Sequence, residues 1–241
     1  MKTLAGSCIL LHGTPKVGKT QVASKFPGKV QFIATEPSHK FIPEDQRKRK
    51  IDIDPIDGWA DFVKCFTMIE TTRPKTVVID TIIGLYRACS EWVCKKNRWT
   101  HPSDDGHGKG WDAVRREFYV QFSKFAFLCA KINATSIWIA HTKVETIETA
   151  TSRYEKLAID LPGQARALIT PVPDHIWFLT YADGGDDAGQ VKLVNSARAL
   201  WISGTDRIEA GSRDPSIVTT VIKPLKKKDP YSQIIKAINE T

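Results

Sequence analysis

Residues 13 to 20 read Gly13-Thr14-Pro15-Lys16-Val17-Gly18-Lys19-Thr20, a complete phosphate-binding loop. The run before it, Ser7-Cys8-Ile9-Leu10-Leu11-His12, suits a buried strand. Residues Gln21 to Phe26 continue as a helix until Pro27-Gly28 stops it. Strand, glycine loop and helix are the context this motif requires. Its spacing has a physical cause. Gly13 and Gly18 let the backbone curl so that successive N–H groups point at one anion, at the positive end of a helix. Lys19 then reaches the β- and γ-phosphates of a nucleotide such as ATP, and the Thr20 hydroxyl is placed for Mg²⁺.

The rest of the chain supplies a fold for that loop. Apolar runs alternate with helical patterns, which predicts an α/β domain with a mostly parallel central sheet. Strands are expected at 30–35, 76–80, 135–140 and 175–181, with a return at 191–202 as an antiparallel edge after a turn at Gly184-Gly185-Asp186-Asp187. Helices are expected at 58–70, 82–94, 111–132 and 162–170. In the third, Val114, Phe118, Phe122, Phe125, Cys129 and Ile132 recur at helical steps, a core stripe rather than a base-stacking platform. Residues 37–56, 97–110 and 143–160 are polar and read as loops; the last is too long for a plain connection. One domain over 1–241 is expected, with a basic tail at 223–241 that carries a short helical pattern at 233–238.

Composition narrows the function. The chain has 35 Lys+Arg against 27 Asp+Glu, a net charge of +8, which favours a polyanionic partner. Basic runs lie at Arg47-Lys48-Arg49-Lys50, Lys95-Lys96 and Lys226-Lys227-Lys228. No stretch approaches the ~18 apolar residues of a membrane span, and no signal-peptide pattern precedes the first strand. The five cysteines have neither CxxC nor metal-ligand spacing, so buried, reduced thiols in a cytoplasmic protein are expected and a zinc site is not.

Three strand ends complete the candidate site. Asp80 ends an apolar strand and suits Mg²⁺. Glu36 follows the strand at 30–35, at the carboxyl edge where ligands bind, and is placed to orient an attacking water. His141 follows the strand at 135–140 and is placed to sense the γ-phosphate.

This order of parts resembles the RecA-like P-loop ATPase core. The carriers are the phosphate loop, Phe32 to Glu36, Val77 to Asp80, the Gly-rich Ser103 to Gly110 before a long helix, Ile139 to Lys143, and Leu161 to Arg166. More narrowly, Gly110 to Phe118, Ala140 to Lys143 and Asp206 to Arg213 resemble short phage proteins of the Sak single-strand-annealing group. The resemblance implies a Mg²⁺-dependent ATPase that binds single-stranded DNA in a host cytoplasm. It implies a homo-oligomer working with a single-stranded-DNA-binding protein. It also implies a basic residue acting from a neighbouring subunit, for which Arg207, Arg213 and Arg198 are candidates. DNA contacts are expected from Lys109, Lys143, Arg153, Tyr154 and Lys156 in the two candidate loops. Two features depart from RecA proteins. The first strand begins within six residues, without the N-terminal segment that docks on a neighbour, and the sensor is a histidine where an amide is usual. The rival readings are a small-molecule kinase, a helicase-loading or motor ATPase, and a binding module that holds ATP without turnover.

Overall fold

In the computed structural model, β1 (Cys8–Gly13) is buried along its whole length, as a central parallel strand must be. Residues 2–44, 46–47, 51–149, 151–182 and 197–240 are described. The strands are β2 (Val30–Ala34), β3 (Ile51–Pro55), β4 (Thr76–Asp80), β5 (Thr135–Glu148), β6 (Arg153–Ile159), β7 (His175–Tyr181), β8 (Arg198–Trp201), β9 (Gly211–Ser212) and β10 (Val221–Leu225). Sheet order is β10-β8-β7-β1-β5-β4-β2-β3. The six strands from β7 to β3 run parallel, and β8, β9 and β10 are antiparallel additions on the β7 side.

Strand alternation divides the core between the two faces of the sheet. Cys8, Leu10, Val77, Ile79 and Trp138 pack under α2 (Trp59–Thr72), α3 (Ile82–Asn97), α4 (Lys109–Lys131) and α5 (Gly163–Ile169). Ile9, Leu11, Val78, Ile137 and Ile139 pack on the other face with α1 (Lys19–Ala23) and α6 (Pro230–Asn239). The helical stripe in α4 is core packing: the Phe118 and Phe122 rings meet at a tilt with centroids 4.4 Å apart, and Phe122 meets Trp138 edge-on at 4.9 Å. All five cysteines are buried free thiols. Among the described residues no helix is long and apolar enough to cross a membrane.

Several expected loops are ordered elements. Residues 51–55 form an edge strand paired with β2. Residues 97–110 contain two short 3-10 turns, Pro102–Asp104 and Gly106–Gly108. The polar stretch 143–160 is a β-ribbon. The first half of β5 pairs with β1 and β4, and its second half pairs antiparallel with β6, Thr142 opposite Ile159 through Glu148 opposite Arg153. At the C-terminus β10 pairs with β8, and α6 buries Ile234 and Ile238, so the segment expected as a tail is docked on the core. The turn at Gly184 to Asp187, residues 191–196 of the expected edge strand, and Lys48 to Lys50 of the first basic run lie outside the described residues.

Candidate nucleotide site

The phosphate loop hangs between β1 and α1. Two glycines are forced by space. A Cβ on Gly13 would lie 2.3 Å from the Leu179 carbonyl oxygen of β7. Gly18 has φ +99° in the left-handed region and caps α1. Inside the loop the Lys19 ammonium donates to the Gly13 and Thr14 carbonyls at 2.8 and 2.9 Å. An ammonium has three donors, so one remains for an anion. Burial lowers the Lys19 pKa to about 8, against the nearby charges of Asp80 and Glu36.

The acidic side is assembled by β2 and β4, which run side by side with Ala34 opposite Asp80. The Asp80 carboxylate is buried and accepts from Thr20 Oγ1 at 2.8 Å and from Ser38 Oγ at 2.5 Å. Burial raises its pKa, and those two bonds pull the other way. The Thr35 hydroxyl ties the two strand ends by accepting from the Thr81 N–H at 2.9 Å. A Cβ on Gly84 would lie 2.2 Å from that hydroxyl, so α3 approaches only because residue 84 is glycine. Glu36 sits beyond β2, where its Oε1 accepts from Thr81 Oγ1 at 3.1 Å. His141 lies opposite Gly13 in the β1–β5 register, and its Nε2 is 3.9 Å from Glu36 Oε1. Its Nδ1 is buried with no hydrogen-bond partner among the described residues. The strand at 135–140 does not end at this histidine as expected, because β5 runs through it into the ribbon.

Gly18, Lys19, Thr20, Glu36, Ser38, Asp80, Thr81 and His141 line one cleft of about 510 Å³ with Lys16, Gln21, Phe41 and Arg198. Three hard oxygens converge in it, from Thr20, Ser38 and Asp80. Among the described residues no group of three or more His, Cys, Asp or Glu side chains is arranged to hold a metal ion by itself. One carboxylate beside hydroxyls suits Mg²⁺, which takes few protein ligands and completes its shell with water and phosphate. A family model described as an AAA domain matches residues 5–213. The chain belongs to the AAA-domain family. No curated protein matches it. The AAA domain here is a P-loop ATPase domain, and its match spans the phosphate loop, Glu36, Asp80, His141 and Arg198.

The other sequence-predicted residues fall in three places. Arg198, expected to act on a neighbour, lies in its own chain's cleft beside Gly18. Arg213 is spent at the opposite, amino-terminal edge of the sheet, with Nη1 3.6 Å from Asp174 and Nη2 bonded to the Pro171 carbonyl. Arg207 is exposed in a segment that runs beside β6, its carbonyl accepting from the Leu157 N–H at 2.8 Å. Lys109 is exposed at the start of α4. Lys143, Arg153, Tyr154 and Lys156 are on the ribbon. Lys143 lies 3.0 Å from Glu145, Arg153 lies 3.3 Å from Glu148, Tyr154 faces Ile147 and Lys156 faces Glu145 across the strands.

Sequence reasoning missed Ser38, His12 and Glu209. Ser38 two residues after Glu36 is the one signal that adjacency offered. His12 is fully buried beside the loop, with Nδ1 2.9 Å from Thr142 Oγ1 and Nε2 2.6 Å from the Glu209 carbonyl. The Glu209 carboxylate in turn accepts from the Ile159 N–H at 2.9 Å.

Proposed function

We propose that this AAA domain is an ATP-dependent, single-stranded-DNA-binding recombination protein of the phage single-strand-annealing type. It acts as a homo-oligomer in the cytoplasm of a host cell, alongside a single-stranded-DNA-binding protein. One observation carries the reading: β5 lies between the phosphate-loop strand and the Asp80 strand, passes through His141, and continues without a break into the ribbon that holds Lys143, Arg153, Tyr154 and Lys156. One continuous strand therefore runs from the nucleotide cleft to the surface assigned to DNA.

Hydrolysis follows from the cleft. Backbone N–H groups of the loop and the third donor of Lys19 hold the triphosphate. Thr20 and Asp80, with Ser38 beside them, would hold Mg²⁺, which neutralises phosphate charge when bound. Glu36, kept in place by Thr81, orients the attacking water and takes its proton. His141 is assigned to read the γ-phosphate, and its buried Nδ1 has no hydrogen-bond partner among the described residues. Phosphoryl transfer asks mainly for positioning and charge neutralisation, which these groups supply. Arg207, exposed beside the ribbon, is the remaining candidate for a neighbour's site.

The DNA surface is continuous with that machinery. At the ribbon base Glu145 binds Arg166 of α5 at 2.7 Å, and Lys143 donates to the Leu161 carbonyl at 3.2 Å. The starts of α4 and α5 in turn enclose a shallow cleft of about 690 Å³ lined by His107, Trp111, Arg115 and Gln164. The Arg153–Glu148 pair is exposed, and exposed pairs are worth about 0–1 kcal/mol, so exchanging that carboxylate for a DNA phosphate costs little.

The test is equilibrium binding of a fluorescent single-stranded oligonucleotide across a salt series. The expected log–log slope is roughly −0.7 per phosphate contacted. Binding that ignores salt would overturn the assignment.

A further inference from the structure

We infer that Arg198 binds the α- and β-phosphates of the nucleotide held by its own chain. The inference rests on the reading of the cleft as a nucleotide site and assigns it one more ligand-binding side chain.

Arg198 opens β8 and lies directly opposite Tyr181, the last residue of β7. Both residues grip the phosphate loop. The Tyr181 hydroxyl donates to the Lys16 carbonyl at 3.2 Å. The Arg198 guanidinium covers Gly18: a Cβ there would lie 2.5 Å from its Cζ and 2.6 and 2.7 Å from its two terminal nitrogens. Gly18 is thus needed twice, for its positive φ and for the room it leaves this arginine. Nη2 also donates to Gln21 Oε1 at 3.3 Å, one residue beyond the Thr20 hydroxyl.

The donors outnumber the acceptors. A guanidinium carries five N–H groups and no acceptor. Gln21 accepts from one, and Nε is buried without a hydrogen-bond partner among the described residues. Buried unsatisfied donors are rare and costly, and an oxyanion relieves that cost. Arginine suits the task because its planar fork matches phosphate oxygens.

Sheet order fixes which phosphates it meets. Asp80, His141 and Glu36 come from β4, β5 and the end of β2, all on one side of β1. Arg198 comes from β8, on the other side, beyond β7. The γ-phosphate belongs with the acidic group and the attacking water. Arg198 therefore meets the half of the triphosphate that ATP and ADP share. An arginine acting from a neighbouring subunit on the γ-phosphate would behave differently in each of the following measurements.

The experiment measures equilibrium binding of ADP and of a non-hydrolysable ATP analogue to wild type, Arg198→Ala and Arg198→Lys. Thermal unfolding without nucleotide checks that each variant is folded. In Arg198→Ala both dissociation constants should rise by about tenfold or more and in the same proportion, independent of protein concentration, as loss of a charge-assisted contact predicts. Arg198→Lys, which keeps the charge and loses the fork, should fall between. Mixing Arg198→Ala with Lys19→Ala protomers should restore no ATP turnover. ADP binding within twofold of wild type in Arg198→Ala would overturn the inference, and so would restored turnover in the mixture. Failure of the wild type itself to bind ADP would instead remove the nucleotide reading on which it stands.

Discussion

His12 shows how one buried side chain ties the phosphate loop to distant segments. It precedes Gly13, and both its ring nitrogens are used. A carbonyl only accepts, so Nε2 carries the proton toward Glu209 and Nδ1 accepts from the Thr142 hydroxyl. Burial lowers its pKa to about 4; the Glu209 bond opposes this, and the Lys19 charge adds to it. The imidazole is thus neutral in the folded protein at pH 7. In the unfolded chain it takes a proton near pH 6.5, so the folded state loses stability as pH falls from 6.5 through about 4. The shift corresponds to roughly 3 kcal/mol. Urea unfolding of wild type and His12→Asn at pH 7 and pH 4 should show that acid loss reduced in the variant. An equal loss in both would contradict this account. His12 and Glu209 were silent in the sequence because their partners are set by tertiary register, and Ser38 was marked only by its nearness to Glu36. His12 and Glu209 stand 197 positions apart. Gly13 to Thr20, Glu36 and Asp80 were legible because a local motif and strand ends specify them.

At the scale of elements, the ribbon is the main departure from the sequence reading. Lys143-Val144-Glu145-Thr146-Ile147-Glu148 alternates, but most of both faces is polar, so it lacks the apolar run that marks a buried strand. Its order comes from pairing with β6 and from the contacts of Lys143, Glu145 and Arg166 at its base. Although burial works against it, hydrogen bonds from Arg166 and then Lys143 hold the Glu145 carboxyl below its usual range. Residues 51–55 were missed for a similar reason: Ile-Asp-Ile-Asp-Pro alternates over only five positions and ends in proline, as an edge strand can. The core helices and parallel strands were legible because their apolar periodicity is long. The ribbon carries its own prediction. Replacing Arg153 and Lys156 together by glutamine should weaken single-stranded DNA binding and reduce its salt slope by up to about 1.4, two contacts at 0.7 each. Nucleotide affinity should stay within twofold. A salt titration with and without an ATP analogue checks both, and an unchanged slope would remove the ribbon from the DNA surface.

For the whole molecule, sheet order joins the nucleotide cleft to the ribbon proposed to bind DNA. The strand between the phosphate loop and Asp80 is the one that leaves the sheet as the ribbon, so any shift of His141 toward a phosphate displaces a continuous strand. The antiparallel strands β8 and β10 and the docked α6 brace the opposite side, where Arg198 reaches the loop. A net charge of +8 adds a field that draws a polyanion to the surface. On the proposed function this cleft hydrolyses ATP, and DNA on the ribbon side governs the rate. Steady-state ATP turnover of wild type and Glu36→Gln, each with and without single-stranded DNA, tests it most directly. The account predicts that DNA changes wild-type turnover, and that Glu36→Gln still binds ATP but turns it over at least ~100-fold more slowly. Turnover indifferent to DNA, or wild-type turnover in Glu36→Gln, would contradict it.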